Sequence, residues 1–498
     1  MALAIVVLFC FPILLLFFLK KQRTTKSVNW PAGPRGLPLI GNLHQFDSSN
    51  PQRYLWNLSK QYGAFMSLRL GFLRILVVSS ANMAKEIMKA HDLQFCGRPV
   101  FLGPQKLSYN CSDLGLAPYN DYWREMRKIF VVHLFNSNKV KQFRPIREDE
   151  IFRMIEKISK LAVASTPVNL SEMMMSLTST ITCRLAFGKR YEDEGTERSR
   201  FYSLLNETQA MLGSFFFADY FPFLGWVDKL TGMSSRLEKN FKDCDAFYQE
   251  IIDDHLDPKR STADQQEDII DVLLQLQKQR GFKFDLTWDH IKGVLMDVLT
   301  GGTDTSAATV IWVMTYLMKN PSVMKRAQEE IRHVIANKSF VDEDEVQRLQ
   351  YLRAVVKETM RLQPAVPLLV PRETTEKCNI EGYEIPPKTV VYVNAWAIGR
   401  DPEAWDNPEE FDPDRFVGSA VDLKGQNYEL IPFGAGRRMC PGIFMGLANV
   451  ELTLANLLCK FDWELPAGME KEDLDFDVLP GITVHKKNAL WLTARNVR

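Results

Sequence analysis

Hydrophobic and polar positions change character three times along the chain. Residues Met1 to Leu19 are nearly all apolar and carry no charged side chain. As a helix, about 19 residues rise roughly 28 Å, close to the thickness of a bilayer core. Lys20, Lys21, Arg23 and Lys26 follow at once. A cleaved signal peptide has its basic residues before the apolar run and a small-x-small site after it, and this segment has neither. The pattern predicts a retained transmembrane anchor over 1–19, with the chain beyond it on the cytosolic side. Residues 20–38 read as a basic, proline-rich hinge. Pro31, Gly33, Pro34, Gly36 and Pro38 fall within eight residues, and proline's fixed φ and missing N–H exclude a helix or strand interior there.

From residue 39 to 498 the period is mostly helical. Apolar positions three and four apart predict helices over 145–161, 234–255, Ile269–Gln279, Pro321–Ile335 and Ile443–Lys460. β-type runs predict short strands over Phe65–Leu70, 75–79 and 389–394. The polar stretch 257–267 reads as a surface loop. No break in composition separates two domains, so the expectation is one large, mostly α domain with a small β-rich portion.

The longest helical pattern runs from an N-cap at Thr287 to a stop at Asn320-Pro321. At 1.5 Å per residue it spans about 50 Å and can cross a whole domain. Its centre reads Gly301-Gly302-Thr303-Asp304-Thr305-Ser306. Each glycine costs about 1 kcal/mol against alanine in a helix interior, and nothing in this cluster favours a helix. Such rule-breaking is expected at a functional site. Gly301 and Thr305 share a face. A glycine there leaves room for a flat ligand. The hydroxyl can donate to bound dioxygen, with the Asp304 carboxylate beside it to relay protons. The alternative is a glycine-rich helix crossing.

Charge and composition narrow the function. Lys plus Arg number 61 and Asp plus Glu number 61, so the formal net charge is 61 − 61 = 0. That balance gives no electrostatic footprint for nucleic acid. The eight cysteines form no C-x-x-C and the seven histidines are scattered, which argues against a zinc site or a disulfide framework. Isolated cysteines suit a reducing compartment.

One cysteine stands apart, in Phe433-Gly434-Ala435-Gly436-Arg437-Arg438-Met439-Cys440-Pro441-Gly442. A lone cysteine beside an apolar helix is usually an inert buried thiol. Here five positions match the spacing Phe-x-x-Gly-x-Arg-x-Cys-x-Gly of a thiolate that holds a haem iron. A loop entering a helix N-terminus, with arginine nearby, supplies N–H groups and positive charge for a thiolate. Glu358 and Arg361 are helical neighbours, and Arg415 lies in the aromatic turn Phe411-Asp412-Pro413-Asp414-Arg415-Phe416. These three read as a structural cluster with no direct chemical role.

Taken in order, the anchor, the hinge, Trp123-x-x-x-Arg127, the Gly-Gly-x-Asp-Thr-Ser helix, Glu358-x-x-Arg361, the 411–416 turn and the Cys440 loop resemble the microsomal cytochromes P450. The chain is most similar to the plant family 71 and family 83 group, and the resemblance covers essentially all of it. It implies a P450-type fold and a haem b cofactor with Cys440 as the iron ligand. It places Phe433 beside the sulfur and Gly442 in the cofactor loop. It has Trp123, Arg127, Arg372 and Arg438 pair with haem propionates. It gives Asp304 and Thr305 the delivery of protons to dioxygen. Ala32 and Asp414 depart conservatively from the family's usual proline and glutamate.

No Gly-x-Gly-x-x-Gly follows a strand, so no dinucleotide domain is fused to the chain. The resemblance supplies electrons from NADPH through a separate NADPH-cytochrome reductase, with cytochrome b5 as an optional second donor. It puts the protein in the endoplasmic reticulum membrane as a single-pass protein with a cytosolic catalytic domain. Substrate contacts are expected from 106–118, 208–226, 298–305, 364–370 and 479–483. Their apolar content suits a small hydrophobic metabolite, whether aromatic or phenolic, aldoxime, alkaloid or terpenoid. The cluster Phe215, Phe216, Phe217, Phe221 and Phe223 reads equally as a pocket wall or as a membrane-dipping surface. Two activities follow: a monooxygenase, favoured by Asp304 with Thr305, or a haem enzyme that rearranges or dehydrates its substrate.

Overall fold

The computed structural model describes residues 29–191, 196–260, 266–336 and 338–497. The anchor expected over 1–19 and the basic part of the hinge lie outside these residues. Helices used below are α1 (Pro51–Tyr62), α2 (Leu102–Leu107), α3 (Asp121–Lys128), α4 (Arg144–Val163), α5 (Leu170–Phe187), α6 (Thr196–Leu212), α7 (Met233–Leu256), α8 (Ile269–Gln279), α9 (Trp288–Lys319), α10 (Pro321–Ile335), α11 (Gln350–Leu362) and α12 (Ile443–Lys460).

α9 is the axis of the fold. Thr287 caps it by accepting from the His290 N–H, and Asn320 closes it before Pro321 opens α10. Helices α5, α11 and α12 pack around it, so most of its length is buried on every side. α5 is equally enclosed, which leaves it no polar stripe. That is why 170–187 carries no clear helical signal in the sequence.

The β-rich portion lies to one side. Strands β1 (Phe65–Leu70) and β2 (Leu73–Val78) form a hairpin that pairs Phe65 with Val78. β2 runs parallel to β4 (Val390–Val393), which pairs antiparallel with β3 (Arg372–Glu373). β2 starts two residues before the expected 75–79 because the tight Gly71-Phe72 turn lets Leu73 pair with Leu70. β4 ends before Asn394 because that side chain leaves the sheet to accept from the Ala397 N–H. A second hairpin joins β5 (Val478–Leu479) to β6 (His485–Lys486). Residues 31–38 contain no helix and no strand.

Glu358, Arg361 and Arg415 form the buried cluster expected of them. Glu358 is fully buried. Its carboxylate accepts from Arg361 Nε at 2.6 Å and Nη2 at 2.7 Å, from Arg415 Nε at 3.1 Å and from the Asp412 N–H at 2.8 Å. Arg361 also donates to the carbonyls of Pro408 and Glu410. By contrast Asp414 forms an ion pair with Arg326 at 2.7 Å, with both side chains about half exposed. Glu358→Ala is expected to destabilise the protein by about 3–5 kcal/mol, because two guanidinium groups lose their buried partner. Asp414→Ala should cost no more than about 1 kcal/mol. Denaturant unfolding of the two variants checks the contrast.

Candidate haem site

The Cys440 loop is shaped by its backbone. The Cys440 N–H donates to the Phe433 carbonyl at 3.0 Å and closes the loop. Gly434 and Gly436 sit at φ 70° and 67°, in the left-handed region that glycine tolerates best. At Gly436 a Cβ would also lie 2.5 Å from the Met88 carbonyl and 2.7 Å from Asp92 Oδ1. Gly442 then opens α12. Its N–H approaches the Cys440 sulfur, and the sulfur lies 4.0 Å from where a Gly442 Cβ would be. The Phe433 ring packs within 4.0 Å of a Cβ placed at Gly446 on α12. Burial pushes the Cys440 thiol above its ordinary pKa, while the Gly442 N–H and the Arg127 charge pull the other way without prevailing. Burial and the loop's N–H and charge thus act on this sulfur in opposite directions.

Four groups flank this loop, and three are engaged by the protein. Trp123 is buried and its Nε1 donates to the Leu114 carbonyl at 3.1 Å. Arg438 lies over the Trp123 ring at 4.6 Å. It donates to the carbonyls of Cys96 at 2.8 Å, Leu114 at 3.3 Å and Ala117 at 2.6 Å. Burial lowers its pKa to about 10. Arg372 forms a buried ion pair with Asp92 at 3.1 Å and donates to the Ala435 carbonyl at 2.8 Å. Arg127 differs: it makes no hydrogen bond or ion pair among the described residues. Burial lowers its pKa, and the nearest opposing influence is Cys440.

Sequence reasoning missed two members of this cluster, Arg98 and Asp92. Arg98 is buried and donates to the carbonyls of Gly115 at 2.8 Å and of Val370 and Pro371 at 2.7 Å each. Burial and the neighbouring Arg438 and Arg372 push its pKa well down. Asp92 accepts from Arg372, from Arg437 Nη1 at 2.8 Å and from the Arg437 N–H at 3.1 Å. Neither lies in a motif; tertiary structure alone brings them here.

On α9 the two adjacent glycines do different work. A Cβ on Gly302 would meet Thr182 of α5 at 3.1 Å, so this glycine serves a close helix crossing. A Cβ on Gly301 would meet nothing within 4 Å. Gly301 is exposed on a helix that is otherwise mostly buried, with open space where its side chain would be. The Thr305 hydroxyl donates to the Gly301 carbonyl at 2.9 Å. Asp304 is buried and lies 3.4 Å from His485 Nε2 on β6, a partner that no sequence pattern indicates. The Thr303 hydroxyl is buried without a partner among the described residues.

The sequence matches the cytochrome P450 family over residues 31–493. It is 51% identical over 486 residues to a 6,7,8-trihydroxycoumarin synthase of Pastinaca sativa, covering 96% of this chain and 95% of that one. It is 45% identical over 486 residues to cytochrome P450 83A1 of Arabidopsis thaliana, covering 97% of each. Among solved structures it is similar to a zebra fish cytochrome P450 with abiraterone, with TM-score 0.76 and 25% identity, covering 90% of this chain and 99% of that one. The chain belongs to the cytochrome P450 family, in its plant 71 and 83 group. It is a haem-dependent monooxygenase; the family's haem is held by a cysteine thiolate and reduced from NADPH through a reductase.

The residues present fit that cofactor. Gly301 leaves open space for a flat macrocycle. Arg127 is a partly buried guanidinium awaiting an anion beside Cys440. Arg438 has five N–H donors and uses three of them on carbonyls. The loop's tight geometry is testable. Gly436→Ala should destabilise the protein by more than about 2 kcal/mol, since it adds a steric clash to the strain of a positive φ. Gly468→Ala, at φ 84° with nothing within 4 Å, should cost only about 1 kcal/mol. Thermal unfolding of the two variants measures the difference.

Proposed function

We propose that Cys440 would hold the haem iron and that the protein inserts one oxygen atom into a small aromatic specialised metabolite. The observation that carries this reading is the pairing of two features. Cys440 sits near the Arg127 guanidinium, which makes no hydrogen bond or ion pair among the described residues, and α9 is thinned at Gly301. The bound cofactor supplies dioxygen activation, to which a thiolate ligand contributes electron density. The chain's own residues do the rest.

Arg127, with Arg438 and Trp123, would hold the haem carboxylates, and Arg372 braces the Cys440 loop through Asp92 and Ala435. A guanidinium fork matches a carboxylate in two directions at once, which orients as well as binds. Phe433 and Gly442 shield the sulfur and shape its surroundings. On α9, Thr305 holds its hydroxyl proton against the Gly301 carbonyl and can turn to donate it into the adjoining space. Asp304, next in sequence, would pass on a proton taken up from solvent, and its carboxylate lies 3.4 Å from His485 Nε2.

The substrate class follows from the lining and the relatives. Segment 364–370 is wholly apolar, 106–118 and 298–305 mix apolar with small polar residues, and one similar enzyme is named for a trihydroxylated coumarin product. A planar, oxygen-bearing aromatic molecule fits best. Exposed Phe215, Phe223 and Trp226 lie on one connection, together with Leu230. We assign that surface to the membrane, beside a single-pass anchor in the endoplasmic reticulum. Electrons reach the site from NADPH-cytochrome reductase, with cytochrome b5 as an accessory.

Three outcomes are expected. Cys440→Ser should abolish the thiolate-type spectrum of the reduced carbon monoxide complex; its survival would sink the ligand assignment. Arg127→Gln should lower haem content while changing the unfolding free energy of the haem-free protein by less than about 1 kcal/mol, because no protein contact is lost. Thr305→Ala combined with Asp304→Asn should divert turnover to peroxide with coumarins as substrates, read by mass as loss of the product one oxygen heavier. Unchanged product formation in that variant would favour a rearranging or dehydrating enzyme instead.

A further inference from the structure

The segment that leads from α2 to α3 is fastened by its backbone. The N–H groups of Leu114 and Gly115 donate to Asp297 Oδ2 on α9 at 2.7 and 3.3 Å. The Leu116 N–H donates to Asp113 Oδ2 at 2.9 Å. The carbonyls are taken from the opposite side. Leu114 accepts from Trp123 and Arg438, Gly115 from Arg98, and Ala117 from Arg438. Just upstream, Tyr109, Asn110 and Cys111 have φ of 53°, 60° and 60° in succession. A left-handed turn of three non-glycine residues costs on the order of 1–2 kcal/mol per residue, so this loop keeps its shape only while something holds it.

The two carboxyl groups that hold it also meet each other. They lie on either side of Gly115, where a Cβ would be 3.1 Å from Asp297 Oδ1 and 3.4 Å from Asp113 Oδ2. They are close enough for each to act on the other's proton affinity. Asp113 is completely buried, and its Oδ1 has no N–H or O–H partner among the described residues. Two carboxylates side by side repel, the more so with Asp113 fully buried and Asp297 partly so, and an unpartnered buried oxygen costs about 1–3 kcal/mol. One proton removes both problems. Carried by Asp297, it is donated to Asp113, while Asp297 Oδ2 stays available to the Leu114 and Gly115 N–H groups.

We propose that Asp113 and Asp297 are a proton-sharing carboxyl pair that positions the substrate-facing loop 111–118 on the central helix. The pair is a positioning device with no direct part in the chemistry. Asp297 is seven residues before Asp304 and four before Gly301, so all three share one face of α9. The loop is thereby set against the same face that carries the open space at Gly301. The reading rests on the proposed function only in taking 111–118 as a substrate-facing loop.

The sign of the pH dependence follows. Burial raises both carboxyls, Asp113 to about 6, and the Asp113 carboxylate raises Asp297 further. Arg438 opposes the shift of Asp113. Arg98, Cys111, Tyr122 and Tyr248 are the other titratable groups facing the pair. A group whose folded pKa is raised gives stability that is present at low pH and lost as pH rises through that value. The loop should therefore loosen on the alkaline side.

The test is hydrogen–deuterium exchange of the 109–118 segment in the full-length holoprotein in detergent micelles, corrected for intrinsic exchange, between about pH 6 and pH 9. The wild type should lose protection of this segment as pH rises. Asp297→Asn reproduces the protonated acid, with an N–H donor toward Asp113 and an oxygen toward Leu114. It should retain protection to within about twofold and show no pH-dependent loss. Asp297→Ala should raise exchange about tenfold or more. If Asp297→Asn loosens the loop as much as Asp297→Ala, charge and not a shared proton holds it, and the proposal falls. If wild-type protection is flat across the range, it falls as well. Should Asp297→Ala not fold, the comparison of Asp297→Asn with wild type decides alone. The reduced carbon monoxide spectrum of each sample separates this outcome from a failure of the haem assignment, which would alter the spectrum in wild type too.

Discussion

Buried positive charge organises this protein. Arg98, Arg372 and Arg438 lie close enough to lower one another's proton affinity, with Asp92 and Asp113 as the nearby acids. A guanidinium cannot shed its charge at neutral pH, so each of its N–H groups needs an acceptor. The chain supplies carbonyls from residues 96, 114, 115, 117, 370, 371 and 435. Those carbonyls belong to four separate stretches of sequence. Satisfying the arginines therefore draws the Cys440 loop, the 111–118 loop, β3 and the chain before α2 into one place.

Much of this was legible in the sequence, and the parts that were not share a cause. Ile269–Gln279, Pro321–Ile335 and Ile443–Lys460 have the expected limits because caps, proline and an apolar stripe mark them. α5 left no stripe because α9 and its neighbours enclose it. Strands of two residues, such as β3, are too short for alternation to show. At the site, motif residues such as Cys440, Arg438, Asp304 and Thr305 could be singled out by spacing. Asp92, Arg98 and His485 could not, because their roles exist only across gaps of hundreds of residues. The partners of Arg372 and Arg438 were likewise invisible. Spacing marks an arginine as special but does not say whether it faces a carboxylate or a carbonyl.

Cys440 shows a related limit. Its loop has the glycines, the helix start and the nearby cation that favour a thiolate, yet burial outweighs them. A thiol must lose its proton to hold a metal, so the loop's charge and N–H groups oppose burial at the one atom where that matters.

The Glu358 cluster sets a condition on how the chain assembles. Glu358 and Arg361 reach their other partners, at 399, 408, 410, 412 and 415, only when α11 and the turn-rich stretch after it have already met. A partial arrangement would strand a charge in apolar surroundings, so intermediates with the stretch out of register are selectively unstable. The cluster thereby ties the placement of the 399–416 segment to that of α11, since neither side is satisfied without the other.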